Sequence, residues 1–172
     1  MLSLYDVTVP VFIRSLENLD RILEKGAAHF TDSGRAEGEL AGVRLIEDMH
    51  PLTAQIQRAS DTAKGVVTRI GGAENVAMAD DEQSIADLRT RIAKTIEVLK
   101  SARPEAFDGK EEAMVEIKTP NRSLVFTGKS YVLDFAVPNF FFHVTTAYAL
   151  LRKEGVPIGK MDYLGAVETR PN

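Results

Sequence analysis

The chain has no cysteine, which excludes disulfides, thiolate nucleophiles and sulfur-ligated zinc together. Any metal would have to be held by imidazole, carboxylate or amide groups. It also has no excess of positive charge: 21 Lys and Arg stand against 25 Asp and Glu, a net charge of -4, and the basic residues are scattered. Phosphate backbones need a concentrated basic footprint, so no nucleic-acid partner is expected. No glycine-rich phosphate loop, G-x-S-x-G elbow, H-E-x-x-H pair or dinucleotide fingerprint occurs. Nucleotide chemistry and triad hydrolysis lose their usual warrants.

Long apolar runs are missing too. The longest uncharged stretch, Phe135 to Leu151, contains Pro138, Asn139, His143 and two threonines, and it falls short of the ~20 apolar residues that a membrane span requires. A helix buried within a soluble bundle explains it, and no membrane partner is expected. Met1 to Arg14 carries Asp6 without a basic n-region or a small-residue cleavage site. The expectation is a cytoplasmic protein, and its 172 residues suit a single domain.

What is present is helical periodicity. Ser3 and Asp6 are spaced as a capping box ahead of Tyr5, Phe12, Leu16, Leu19 and Leu23, which predicts a first helix ending near Gly26 to Phe30, with Pro10 either kinking it or delaying its start. Thr31 to Glu39 is polar and reads as a connection. Leu45, Met49, Leu52, Ile56, Ala59, Ala63, Val66 and Ile70 alternate spacings of four and three, a heptad-like seam on a second helix. Its regular part is expected from about His50, and Gly71 and Gly72 end it. Asp80, Asp81 and Ser84 offer caps for a third helix with Ile85, Leu88, Ile92, Ile96 and Leu99 on one face, closed by Pro104.

The period then changes to two. Val115 and Ile117, the turn residues Thr119, Pro120 and Asn121, then Leu124 and Phe126 predict a short β-hairpin. A fourth helix, about Ser130 to Lys153, is rich in aromatics and stopped by Gly155 and Pro157. The tail, 158–172, carries Met161, Tyr163 and Leu164 and is expected to dock on the bundle or on a second subunit. The fold class expected is all-α, a four-helix bundle with one hairpin between its third and fourth helices.

Histidine is the commonest transition-metal ligand and the usual proton carrier near neutral pH. His29 falls at the end of the first helix, where it complements the dipole. His50 stands at the start of the second helix and His143 inside the uncharged fourth, so both can face the core. Asp48, two positions before His50, is a metal ligand, a partner that orients His50, or a cap for the second helix. Asn139 lies one turn before His143 on the same face, able to orient a water or to satisfy a carbonyl freed by Pro138. Tyr131 and Tyr148 can place hydroxyls in a pocket or lie at the core edge.

Tyr5-Asp6 with Val9-Pro10-Val11-Phe12, Arg44-Leu45 with Asp48-Met49-His50-Pro51-Leu52, and Asn139-Phe140-Phe141-Phe142-His143-Val144-Thr145-Thr146-Ala147-Tyr148 resemble an uncharacterised bacterial family of unknown function. That family is similar in fold to the DinB/YfiT-like metalloenzyme superfamily. The resemblance implies an up-down-down-up bundle, a long crossover between the middle helices, a homodimer, and a divalent metal, nickel or zinc, on three histidines. Some superfamily members are thiol-dependent transferases. His50 matches the first ligand and His143 one of the fourth-helix pair; the positions four before and four after His143 are Asn139 and Ala147, so the third ligand has no match. The functional expectation is a cleft lined by metal-ligand candidates His50 and His143 and by ligand-binding Asn139 and Tyr148, taking a small molecule or a weakly held metal. The alternatives are a non-catalytic dimerising scaffold or partner-binding protein with no metal site, and a metal-dependent thiol S-transferase or hydrolase.

Overall fold

The computed structural model describes residues 2–119 and 122–169. It is mostly helical with one two-stranded antiparallel hairpin. Helix α1 spans Val9–Asp32 with Pro10 in its first turn, where a missing N–H costs nothing. Pro10 therefore delays the start. The Ser3 and Asp6 box forms, each backbone N–H donating to the other's side chain, but it closes a separate turn ahead of α1. The apolar face of α1, from Val9 through Phe12, Leu16, Leu19 and Leu23 to Phe30, is fully buried.

The segment expected as a bare connection contains a short helix, α2, Glu37–Gly42. Leu40 anchors it: its side chain is buried and lies close to Gly26 of α1, where an added Cβ would also collide with Leu151. Helix α3 is Leu52–Arg69, capped by Pro51. Its seam is shorter than the sequence predicts, since Leu45 is 47% exposed. Residues 43–51 form a loop that turns back on itself, with the Leu52 N–H donating to the Val43 carbonyl at 2.9 Å. His50 and Asp48 therefore precede the helix, and no side chain caps it. The remaining seam residues from Leu52 to Ile70 are buried.

Helix α4, Ile85–Lys100, starts at Ser84, whose side chain accepts from the Asp87 N–H while Asp87 reaches back to the Ser84 N–H. Asp80 and Asp81 are not caps. A 3-10 turn, Pro104–Phe107, leads to strands β1, Met114–Thr119, and β2, Arg122–Thr127, paired from Met114 opposite Thr127 to Thr119 opposite Arg122. The predicted turn residues Pro120 and Asn121 lie outside the described residues. Val115 is buried, and Phe126 joins the rings of Tyr131 and Phe135 at 6.1 and 5.7 Å, which fastens the hairpin to the helix that follows.

That last helix is composite: α5, Gly128–Ser130, a π-helical stretch, Tyr131–Ala136, and α6, Val137–Lys153. The π-helical stretch delivers the chain to Pro138, which has no N–H to give and whose ring needs room beside the carbonyl of residue 134. At its end the Val137 N–H donates back five residues to the Val132 carbonyl. Gly128 is required where it sits, because a Cβ would collide with the Lys110 carbonyl.

Helix α3 packs against both α6 and α4, and α1 packs against α4. Asn139 meets Thr62 and His143 meets Gln55, so α3 and α6 run antiparallel. The tail forms α7, Lys160–Leu164, which docks on α1 through Asn18 Nδ2 to the Tyr163 carbonyl, 3.0 Å, and Lys25 to Asp162, 2.5 Å. Among the described residues no helix is long and apolar enough to cross a membrane.

Candidate ligand site between α3 and α6

The seam row Leu52, Gln55, Ala59, Thr62, Val66 of α3 is apolar except at two places. Those two places receive the polar residues of α6. Asn139 and His143 are one turn apart, hence on one face. Asn139 Nδ2 donates to Thr62 Oγ1 at 2.7 Å, and Thr62 in turn donates to the Arg58 carbonyl at 2.7 Å. Asn139 thus reaches across to α3 rather than to a carbonyl freed by Pro138.

His143 is 9% exposed, and its Nδ1 lies 2.7 Å from Gln55 Oε1. Gln55 Nε2 donates to the His50 carbonyl at 3.0 Å, which fixes Oε1 as the acceptor and so places the ring proton of His143 on Nδ1. Nε2 then carries the lone pair. It has no protein hydrogen-bond partner, and Arg91 Nε is the one sealed side-chain polar atom without a partner among the described residues. His143 Nε2 therefore reaches solvent. Burial first, then the neighbouring charge of Arg58, push the His143 pKa down from 6.5 to about 4. At neutral pH the ring is an uncharged acceptor.

His50 joins the site from the loop before α3. Its Nε2 lies 2.9 Å from Nη2 of the exposed Arg58. Arginine cannot give up its proton, so the imidazole accepts, and its own proton sits on Nδ1. His50, Asn139 and His143 are thus brought together by α3, and the sequence reading missed the three residues that do it: Gln55, Arg58 and Thr62. The available signal was the pair of polar positions, seven apart, interrupting an apolar row. Tyr148 goes elsewhere. Five positions along a helix turn the side chain by about 140° from His143, and its ring packs on Tyr163 at 5.8 Å. Tyr131 is buried and accepts a hydrogen bond from Arg69 at 3.2 Å; burial raises its pKa. His29 lies in the last turn of α1.

The family described as "Domain of unknown function (DUF1993)" matches residues 4–164. The chain belongs to the DUF1993 family. A crystal structure of a DinB family member protein from Shewanella denitrificans is similar to it, at 36% sequence identity, a TM-score of 0.89, and coverage of 98% of this chain and 96% of that chain.

The DUF1993 residues do not fit a tightly held divalent ion. Zinc sites take three or four protein ligands, and no group of three His, Cys, Asp or Glu residues converges among the described residues. Of the two imidazoles, one already turns its Nε2 to a guanidinium. The amide of Asn139 donates to Thr62, and the position four after His143 is Ala147. A fixed cation, Arg58, stands in the site.

Proposed function

We infer that this protein is a DinB-like helical bundle that binds a small molecule in the polar notch between α3 and α6. The observation that carries this reading is His143 Nε2: a lone pair on a buried ring, oriented by Gln55, open to solvent and unused by the fold. Water can reach that nitrogen in the free protein, and a ligand that donates a hydrogen bond can take the water's place. Arg58, His50 and Asn139 supply the surrounding polar groups.

An up-down-down-up arrangement is supported by the side-chain pairings. Gln57 meets Glu82 near the start of α3 and α4, and Gly71 lies against Phe107 beyond their ends, so those two helices run in the same direction. Phe12 stacks on Phe140 while Gly26 neighbours Leu151, so α1 and α6 also run alike. The bundle works as a cytoplasmic homodimer; exposed Leu133 and Met161 are the apolar side chains that support self-association. A non-catalytic scaffold is the competing reading, favoured by the fact that one nitrogen of each site histidine is engaged within the fold.

A thermal-shift screen of small metabolites separates the two. Ligands that stabilise the wild type and fail to stabilise His143→Ala support binding in the notch; stabilisation unchanged in the variant places binding elsewhere and removes this reading. Zinc and nickel content of protein purified without a metal column, in parallel with the His50→Ala, His143→Ala double variant, tests the metal alternative. Near-stoichiometric metal that disappears in the double variant would establish it.

A further inference from the structure

We propose that the occupant of the α3–α6 notch is a hydroxylated monocarboxylate, a hydroxy acid with an apolar substituent, held by Arg58 at its carboxylate and by His143 Nε2 at its hydroxyl. This rests on the small-molecule reading above and gives it a chemical class. Three features of the notch define that class.

The first is charge. Arg58 is exposed, and no carboxylate lies within ion-pair distance of it among the described residues. It spends a hydrogen bond on His50. Five N–H donors in a planar fork leave a bidentate face for an anion. His50 accepts from Arg58 and is uncharged, and His143 is uncharged in its interior position. The notch therefore carries a single positive charge, which matches a monoanion better than a phosphate dianion.

The second feature is the acceptor. His143 Nε2 has a lone pair and no proton, so its partner on the ligand must donate. An ammonium would donate as well, but it would lie beside the guanidinium, where like charges repel. A neutral hydroxyl meets both conditions. The third is the wall. Phe142 is 55% exposed, and its ring stands 5.2 Å from the ring of His143 at 83°. An apolar substituent on the acid has a surface to cover there.

A matched series tests each feature: mandelate, phenylacetate without the hydroxyl, phenylglycine with an ammonium in its place, and mandelamide without the charge. Binding at pH 7 is followed by the ring resonances of His143, which report the notch itself. Mandelate is expected to bind about tenfold more tightly than phenylacetate, the worth of one hydrogen bond, and more tightly than phenylglycine or mandelamide. Arg58→Gln, a change at an exposed position, should weaken mandelate at least tenfold and weaken mandelamide much less, since the amide loses a neutral hydrogen bond and no ion pair. Equal binding of mandelate and phenylacetate overturns the role of His143. Equal binding of mandelate and mandelamide, with His143 resonances shifting for both, overturns the anion while leaving a small-molecule notch intact. If no compound shifts those resonances, the class and the notch fall together.

Discussion

Helix α3 has two polar faces, and they are built on opposite principles. Toward α4 it meets Arg91, whose buried guanidinium donates to Asp61 at 2.9 Å, Asp80 at 2.9 Å, Glu82 at 2.8 Å and the Ala79 carbonyl at 3.0 Å. Lys64, also buried, holds Asp61 and the Val76 carbonyl at 3.1 Å. The hydroxyls of Ser60 and Thr95 close on one another at 2.6 Å. Toward α6 the same helix contributes the Gln55 amide, the Thr62 hydroxyl and the Arg58 guanidinium, which meet Asn139 and His143 of α6 and His50 of the preceding loop, and Arg58 has no carboxylate partner among the described residues. The first face meets both of its buried cations with carboxylates, leaving only the Arg91 Nε proton unpartnered among the described residues, and fastens the irregular segment 70–84 to both helices. The second leaves a charge and a lone pair over. Polarity in a helical core thus serves architecture where its charges are met internally and, on the function proposed above, recognition where they are not.

The largest effect should come from breaking the balanced face. Arg91→Leu leaves Glu82, with a side chain only 8% exposed, without its cation, and the loss is expected at about 3 kcal/mol in urea unfolding. Ligand binding in the notch of the folded variant should stay unchanged. Burial raises the Glu82 pKa, but the hydrogen bonds from Arg91 and Gln57 outweigh it and hold the carboxyl below its usual value. Restoring stability by adding Glu82→Leu would confirm that the cost lies in the stranded carboxylate.

The two faces should also separate by pH. His143 has a folded pKa of about 4, below its unfolded value of 6.5. The unfolded chain therefore binds the extra proton first, and stability falls as pH drops from 6.5 toward 4, by on the order of 3 kcal/mol in all. Glu82 is depressed as well, so its contribution is present above the unfolded carboxylate value and is lost at lower pH still. Chemical denaturation across pH 7 to 4 should show the histidine slope in the wild type and its disappearance in His143→Phe. A slope unchanged by that substitution would break the assignment.

The smallest effect sharpens the open face. Gln55→Leu removes the acceptor that holds the His143 proton on Nδ1, at a cost of about 1–2 kcal/mol. The nitrogen shifts of His143 should then report a mixture of tautomers.

Much of this fold was legible in period and punctuation. The apolar rows of α1, α3 and α4 appear where the spacing puts them, because burial on one face is a property of sequence alone. The hairpin strands follow from alternation, and the Ser84 cap from its residue type. Leu45 and Met49 extended the α3 row by coincidence of spacing; the loop that closes from Val43 to Leu52 overrode it. Helix α2 escaped because six residues carry too little period, and its formation depends on Leu40 meeting Gly26, fourteen residues earlier in the chain.

The candidate site was half visible. His50, Asn139 and His143 could be named from residue type and helical spacing, since imidazoles and amides inside apolar runs stand out. Gln55, Arg58 and Thr62 could not, because glutamine, arginine and threonine on a helix are ordinary surface residues until a partner helix is known to cover them. Tyr148 was a reasonable candidate in one dimension and turns away in three.

The π-helical stretch at Tyr131–Ala136 acts as a phase setter. Each of its turns takes up more residues than an α-turn, so everything downstream is rotated relative to everything upstream. Deleting a single residue there would advance the C-terminal half of the chain's last helix by about 100°. Asn139 and His143 would sweep off Thr62 and Gln55 together, and the whole polar lining would be reset in one step.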